Sequence, residues 1–179
     1  VGRDMRLSSP VLFEGLVKGI IARGADVYNI GEVATECIYF TVGNYDYDAG
    51  IMVTASHNPK EYNGFKMIKR TAGKIKAIRG KDLIKIIKTA DFSEAGKKGK
   101  IEDIDIWPDY LKHIFSFVNI DKVKPFRVIV DAGNGMAGKV IPLLSEKLSV
   151  NIIPLNFNLD GNFPAHPSNP LAKGAADQV

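Results

Sequence analysis

The sequence predicts an α/β fold: a mixed-sheet, three-layer α/β domain followed by the beginning of a second, similar α/β domain. Short β-rich runs alternate with helical patterns along the 179 residues, which is typical of a sheet covered by helices. A linker-like segment at residues 121–125 interrupts this alternation, and a fresh strand–helix–strand pattern begins after it. We therefore expect domain 1 over residues 1–120, a linker at 121–125, and the incomplete start of domain 2 over 126–179.

The first half opens on a segment, residues 1–4, that resembles the end of a strand whose beginning is missing. A helix is predicted from Ser8-Ser9-Pro10, where a capping hydroxyl precedes a proline suited to the first helical turn, up to Gly24. We expect the apolar residues of a later amphipathic helix to face inward. These are Leu83, Ile84, Ile86 and Ile87. The predicted elements after Gly24 are a strand at 25–30, a helix at 35–43, strands at 49–54 and 64–69, a helix at 78–90, a surface loop at 91–105 and a helix at 107–118.

The second half contains a βαβ pattern, with strands at 126–131 and 151–155 and a helix at 139–148. Its turn has the glycine spacing of a dinucleotide-binding loop, Gly133-x-Gly135-x-x-Gly138, and Asp160 lies 22 residues beyond Gly138. The acidic ribose ligand of such sites normally ends the second strand, whereas Asp160 is predicted in the following loop. Close packing of helix and strand is therefore the favoured interpretation, and a nicotinamide-dependent dehydrogenase is an alternative.

The composition is that of an ordinary globular protein, with 45% apolar and 25% charged residues. The net charge is +4, and the basic residues are not concentrated in a stripe of the kind that binds nucleic acid. No apolar run approaches the ~20 residues that cross a bilayer. We therefore expect neither nucleic acid nor membrane as a partner.

The single cysteine, Cys37, excludes an internal disulfide and is predicted to be a buried core residue. No signal peptide is visible, so a cytoplasmic location is expected.

The most informative segment is Thr54-Ala55-Ser56-His57-Asn58-Pro59, which directly follows the apolar strand at 49–54. The strand delivers a serine to a proline-bounded loop at its carboxyl end, the edge where ligands bind in open α/β sheets. Lys66 follows ten residues later, at the start of the next strand. Because Asn63-Gly64 is a tight-turn signal between the two strands, we expect the chain to fold back and bring Lys66 near Ser56.

The neighbouring His57 raises the alternative of a serine hydrolase. Adjacent residues of an extended chain point to opposite faces, however, so His57 is poorly placed to deprotonate Ser56, and no Gly-x-Ser-x-Gly motif is present. The other two histidines, His113 in a predicted helix and His166 in a proline-rich loop, are not spaced as a metal-binding pair.

Four stretches together resemble the α-D-phosphohexomutase superfamily, in particular its phosphomannomutase/phosphoglucomutase group. Residues 54–59 with Tyr62-Asn63-Gly64-Phe65-Lys66 are similar to its phosphoserine loop, and residues 1–8 to its N-terminal Gly-Arg-Asp segment. Residues 128–135 resemble the opening of its second domain, and residues 160–170 a later loop of that domain. The resemblance spans Gly2 to Pro170 and implies the front part of an enzyme that moves a phosphoryl group between O1 and O6 of mannose or glucose phosphates.

The resemblance also implies roles for individual residues. Ser56 would carry the phosphoryl group, and its phosphate would be one ligand of Mg²⁺. Lys66 would act as general acid/base or contact the phosphate. His57 and Asn58 would shape the loop and contact the phosphate, whereas Arg3 and Asp4 would support the site structurally. The hexose 1,6-bisphosphate is implied as intermediate and activator, with hexose 1-phosphate and 6-phosphate as substrates and a monomer or weak dimer as the assembly.

The chain lacks the family's Asp-Gly-Asp-x-Asp-Arg metal loop, its early Tyr-Asp-x-Arg-Gly segment and its later sugar-binding domains. We therefore expect these residues to belong to a longer enzyme and to be inactive alone. A non-catalytic phosphosugar-binding protein of the same fold is the main alternative. The choice between mannose and glucose stays open, because the loop that reads the sugar hydroxyls lies outside this sequence.

Overall fold

The computed structural model describes residues 1–178 and has the alternating α/β organisation that the sequence predicts. Its strands are β1 (Gly2–Arg3), β2 (Val27–Asn29), β3 (Ala49–Val53), β4 (Phe65–Thr71), β5 (Lys74–Ile78), β6 (Ile101–Asp103), β7 (Arg127–Asp131) and β8 (Asn151–Leu155). Its helices are α1 (Ser9–Ala22), α2 (Thr35–Asn44), α3 (Gly80–Thr89), α4 (Trp107–Ser116) and α5 (Ala137–Ser145). A short 3₁₀ turn at Ile120–Lys122 occupies part of the predicted linker region.

The main sheet of the first half is mixed, in the order β1-β3-β4-β5. β1 runs parallel to β3, whereas the β3–β4 and β4–β5 pairs are antiparallel. β2 and β6 form a separate parallel pair, and backbone hydrogen bonds from Arg3 to Gly31 and from Ile30 to Val1 tie it to β1. The second half contains the predicted βαβ unit. Helix α5 lies between β7 and β8 in the sequence, and the two strands pair in parallel.

The hydrophobic core lies between α2 and the main sheet. Cys37 is fully buried, as predicted, and lies in one cluster with Val33, Ile38, Met52 and Ile68. Gly50 brings β3 close to α2, since a Cβ there would lie 2.6 Å from the Ile38 side chain. The cluster also includes Val140 of α5, so the core extends into the second half.

Two strands were not predicted. β5 follows a two-residue turn, Ala72-Gly73, in which both residues have positive φ, the signature of a hairpin turn that matches strand twist. β6 lies inside the stretch predicted as surface loop, where three residues pair with β2. Neither strand has a clear apolar pattern in the sequence, because β5 is rich in lysine and β6 is short and exposed.

Two further predictions are wrong in detail. Helix α3 exists, but none of its residues is buried, and Ile84, Ile86 and Ile87 are at least half exposed. Apolar periodicity indicates which face of a helix is apolar, but it does not show what covers that face. Ser8 does not cap α1 with its side chain, because its hydroxyl instead accepts a hydrogen bond from the Asn63 amide at 2.9 Å.

Within residues 1–178, no helix combines the length and hydropathy needed to span a membrane.

Candidate active site

The site is built on the loop between β3 and β4, residues 54–64, which we call the Ser56 loop. Buried Thr54 begins it, and Ser56, His57 and Asn58 are exposed. Ser56 has a φ of 56°, in the left-handed region that residues other than glycine rarely adopt. Its N–H donates to Thr54 Oγ1 at 2.9 Å, which favours this tight turn. The predicted hydroxyl at the carboxyl end of a buried strand is therefore present and accessible.

Lys66 lies beside Ser56, as the sequence predicts. In the β3–β4 register Lys66 is opposite Met52, and its Nζ donates to Ser56 Oγ at 3.2 Å. The route differs from the prediction, because Asn63-Gly64 does not form a two-residue hairpin turn. Eleven residues connect the strands, and Gly64 closes the loop by accepting a backbone hydrogen bond from Thr54 at 2.9 Å.

A buried arginine, Arg6, holds the loop from beneath and was not singled out from the sequence. Its side chain is 1% exposed, and its guanidinium donates to four backbone carbonyls. Nη1 reaches Pro59 and Tyr62 at 2.9 and 3.1 Å, and Nη2 reaches Ser56 and Asn58 at 2.8 and 2.7 Å. The only sequence signal was its place in the segment Gly2-Arg3-Asp4-Met5-Arg6.

Asp4 balances this buried charge. Its Oδ2 lies 3.4 Å from Arg6 Nε, and its Oδ1 accepts hydrogen bonds from the Arg6 N–H at 3.1 Å and from Ser9 Oγ at 2.6 Å. Burial lowers the pKa of Arg6, whereas the charge and hydrogen bonding of Asp4 raise it. Arg3 contacts a different part of the fold, since it pairs with Glu32 at 2.9 Å.

Of the two residues that follow Ser56, Asn58 contacts the loop through its side chain, and His57 lines the cavity described below. The Asn58 side chain donates to the Ala55 carbonyl at 2.8 Å, so it closes the turn that contains Ser56. Among the described residues, no hydrogen bond joins the His57 ring to Ser56. A serine-hydrolase pair is therefore not formed.

A cavity of about 330 Å³ opens between the Ser56 loop and the second half. Its lining includes Arg6, Ser56 and His57 on one side and Asp131, Phe163 and His166 on the other. This volume lies within the range of about 300–1,000 Å³ that small-molecule sites occupy. The exposed serine and the buried arginine thus line a space between the two halves, and Lys66 is hydrogen-bonded to this serine.

A contact between a histidine and an aspartate on the far side of this cavity joins β7 to the loop after β8. His166 Nε2 lies 3.1 Å from Asp131 Oδ2, and Asn156 donates to Asp131 Oδ1 at 3.0 Å. Desolvation by itself would raise the pKa of Asp131, but hydrogen bonds from Asn156 and the Gly133 N–H, together with His166, hold this pKa below its ordinary value. The sequence prediction assigned no role to this pair.

Comparison with known protein families gives two matches that together cover most of the chain. The family described as phosphoglucomutase/phosphomannomutase, alpha/beta/alpha domain I, matches residues 1–94, and the one described as domain II matches residues 108–179. The chain belongs to the phosphoglucomutase/phosphomannomutase family. The resemblance recognised in the sequence is thereby confirmed.

Individual relatives of this family agree. The chain is 41% identical to a phosphomannomutase/phosphoglucomutase of Pseudomonas putida over 95% of its own length and 36% of that protein. It is 35% identical to a phosphomannomutase of Vibrio cholerae, covering 96% of this chain and 38% of the relative. The structure superimposes on a phosphoglucomutase/phosphomannomutase family protein from Burkholderia thailandensis with a TM-score of 0.79 and 36% identity, over 93% of this chain and 37% of that one. The chain thus spans a little over a third of the length of these relatives.

The glycine motif of the second half is explained by packing in this chain. A Cβ on Gly138 would lie 2.1 Å from the Phe157 carbonyl oxygen, and one on Gly133 would lie 2.8 Å from the His166 ring. The N–H of Asp160 donates to the Asn134 carbonyl at 3.0 Å, so the loop after β8 lies against the glycine turn. The dehydrogenase alternative is not supported.

The carboxylates near Ser56 do not form a metal site by themselves. Asp4 is engaged by Arg6 and Ser9, and Asp131 by His166 and Asn156. Over residues 1–178, no group of three or more His, Cys, Asp or Glu side chains is arranged to hold a metal ion. The residues present therefore do not fit a complete Mg²⁺ site, which needs near-octahedral oxygen ligation.

Proposed function

We propose that the protein containing this chain catalyses reversible transfer of a phosphoryl group between O1 and O6 of a hexose phosphate, with mannose or glucose as the sugar. The phosphoryl group is carried on Ser56, and a hexose 1,6-bisphosphate is the intermediate and activator. The observation that carries the proposal is the 3.2 Å contact between Lys66 Nζ and the exposed Ser56 Oγ, because Ser56 also lines the cavity between the two halves. Family membership supports the same reaction.

Lys66 supplies the proton step at Ser56. When the sugar hydroxyl attacks the phosphorus, it releases its proton to water, the bond from phosphorus to Ser56 Oγ breaks, and the Lys66 ammonium gives its proton to that oxygen. In the return step Ser56 Oγ attacks a phosphate of the bisphosphate, the Lys66 amine takes the serine proton, and the departing sugar oxygen takes a proton from water. Phosphoryl transfer has a loose, in-line transition state, so holding donor and acceptor in place supplies most of the catalysis.

The loop residues have supporting roles in this proposal. Asn58 shapes the turn that presents Ser56, and His57 lines the cavity where a transferred phosphate would lie. Asp4 supports the site through Arg6, whereas Arg3 braces β1 through Glu32. We add Arg6 to the residues named from the sequence, because it contacts four carbonyls of the Ser56 loop.

Magnesium is part of the proposal through the family resemblance. A phosphate on Ser56 would provide one oxygen ligand, and the remaining ligands would come from outside this chain. The ion would stabilise negative charge on the phosphoryl oxygens during transfer. Because residues 1–178 contribute no carboxylate cluster, we propose that the 179-residue chain is inactive alone.

We also propose a domain division at 1–120, 121–125 and 126–179, a cytoplasmic location, and a monomer or weak dimer as the assembly. The substrates are hexose 1-phosphate and hexose 6-phosphate. The position of the cavity between the two halves supports a site that needs both domains.

Intact-mass measurement of the whole protein after incubation with glucose 1,6-bisphosphate tests the proposal. We expect a gain of one phosphoryl group that Ser56→Ala abolishes, together with turnover in a coupled glucose 6-phosphate assay. A protein that binds the bisphosphate but gains no phosphoryl group would instead be the non-catalytic phosphosugar-binding alternative. The 179-residue chain alone is expected to give no turnover in the same assay.

A further inference from the structure

The conformation of Ser56 needs support from outside its own loop. An L-residue with a φ of 56° is disfavoured by contact between Cβ and the following carbonyl, and Ser lacks the freedom of Gly. Such a conformation persists where surrounding contacts determine it. Within the first half, Arg6 provides these contacts by donating to four carbonyls of the loop.

The second half adds contacts to the same loop through residues 156–170, which we call the Phe163 loop. Ser168 Oγ lies 2.8 Å from the Asn58 carbonyl oxygen and 3.2 Å from that of His57. The Asn58 carbonyl also accepts from Arg6 Nη2 at 2.7 Å, so donors from both halves converge on one oxygen two residues after Ser56.

The Phe163 loop also covers Arg6 itself. The Phe163 ring centroid lies 5.0 Å from Arg6 Cζ, within the distance of a cation–π contact. Gly161 allows this approach, because a Cβ there would lie 2.6 Å from the Leu7 backbone nitrogen. Phe163 therefore helps to shield the guanidinium that holds the Ser56 loop.

From these contacts we propose that Ser168 and Phe163 are positioning residues for the phosphoryl-carrying serine. They act through the Asn58 carbonyl and through Arg6, and they make the geometry of Ser56 with Lys66 depend on docking of the second half. The inference rests on the proposed function for its catalytic meaning. Its physical content, which is control of the Ser56 loop by the Phe163 loop, is measurable without turnover.

The test uses Ser168→Ala in the 179-residue chain, with Ser145→Ala as the matched control. Ser145 is also half-buried in the second half, and its hydroxyl also donates to a backbone carbonyl, that of Pro142 at 2.9 Å. Hydrogen exchange is read at the amides of Ser56, Asn58 and Tyr62, which are bonded within the Ser56 loop. Loss of one hydrogen bond should speed exchange about three- to tenfold in Ser168→Ala and leave it unchanged in Ser145→Ala.

A second readout reports the position of residue 56 relative to Lys66. In a Ser56→Cys background, the nearby ammonium should lower the pKa of the introduced thiol, measured from the pH dependence of its alkylation. Adding Ser168→Ala should return this pKa at least halfway to the value found with Lys66→Met. A loss of overall stability alone would not produce this change, provided that the folded fraction is held constant by working well below the urea midpoint.

Phe163→Leu tests the contact with Arg6, because leucine keeps an apolar side chain and removes the aromatic face. We expect faster exchange at the same three amides, with Arg6→Lys giving the same direction of change, because a single ammonium cannot reproduce the four contacts. The proposal is overturned if Ser168→Ala leaves both exchange and thiol pKa at the parent values. It is also overturned if amide exchange becomes faster while the thiol pKa stays fixed. In that case Ser168 would reduce the mobility of the Ser56 loop without setting the position of residue 56 relative to Lys66. Failure of the whole protein to take up phosphate would reject the proposed function without altering either readout.

Discussion

Lys66 Nζ donates to Ser56 Oγ at 3.2 Å, although Ser56 lies near the start of the 11-residue loop between β3 and β4 and Lys66 lies in β4, beyond its end. The antiparallel pairing of β3 with β4 sets this distance, because it fixes where Lys66 stands relative to the end of β3. The contact leads to a prediction that needs no substrate.

In a Ser56→Cys variant, the thiol should have a pKa below its ordinary value of about 8.5, because the Lys66 ammonium stabilises the thiolate. Adding Lys66→Met should raise the pKa again. Lys60→Met is the matched control, since Lys60 is an exposed lysine of the same loop that has no hydrogen bond to Ser56 in the described structure. Equal effects of the two lysine substitutions would show that general loop charge, rather than this contact, sets the pKa.

Cys37 should be unreactive in the folded chain. Its side chain is fully buried, and desolvation raises its pKa to about 11, so almost no thiolate is present at pH 8. Ellman's reagent should therefore titrate no thiol in native protein and one thiol in urea. Rapid labelling of native protein would mean that α2 opens readily or that the core packs differently.

Acid should destabilise the chain partly through Asp131. Since folding lowers the pKa of this carboxylate, its stabilising contribution is present at neutral pH and is lost as the pH falls through the lowered value. Asp131→Asn should thus flatten the dependence of urea-unfolding free energy on pH below about pH 5. Asp121→Asn, at an exposed aspartate between the two halves, should leave the parent slope intact. A slope unaffected by Asp131→Asn would contradict the prediction.

Two glycine-to-alanine substitutions should change the free energy of unfolding in opposite directions. Gly138→Ala places a Cβ against the Phe157 carbonyl and should destabilise the chain by about 1–3 kcal/mol or more. Gly15 lies inside α1 with nothing within 4 Å of an added Cβ, so Gly15→Ala should stabilise by about 0.5–1 kcal/mol. Urea denaturation measures both. A neutral Gly138→Ala would remove the packing explanation of the glycine motif.

The sequence predicted most of the fold that positions the site. α2, β3, α4 and the βαβ unit of the second half were predicted within a few residues, because each has a strong apolar pattern bounded by turn residues. β5 and β6 were missed, since their strand character depends on neighbours that they pair with rather than on their own composition. The prediction that the apolar face of α3 packs inward was wrong for a related reason, because an apolar face does not by itself specify which element covers it.

The residues of the candidate site also fall into two groups: those that the sequence identified and those that only the structure revealed. Ser56, Lys66 and Asp4 could each be named from a short motif. Arg6, Phe163, Ser168 and the Asp131–His166 pair could not be linked to it, because their contacts join segments far apart in the chain. Arg6 and Ser56 lie 50 residues apart, and Ser168 and Asn58 lie 110 apart.

The amino-acid sequence alone determined the family, the serine that presents its hydroxyl at a strand end, and the lysine that follows it. These are local features, fixed by residue types at short spacing. Only the tertiary structure decided that the Ser56 loop is held in a left-handed turn by a buried arginine and by a loop of the second half. The physical reason is that hydrogen bonds to backbone carbonyls depend on where the chain returns in space, and carbonyls carry no sequence signature.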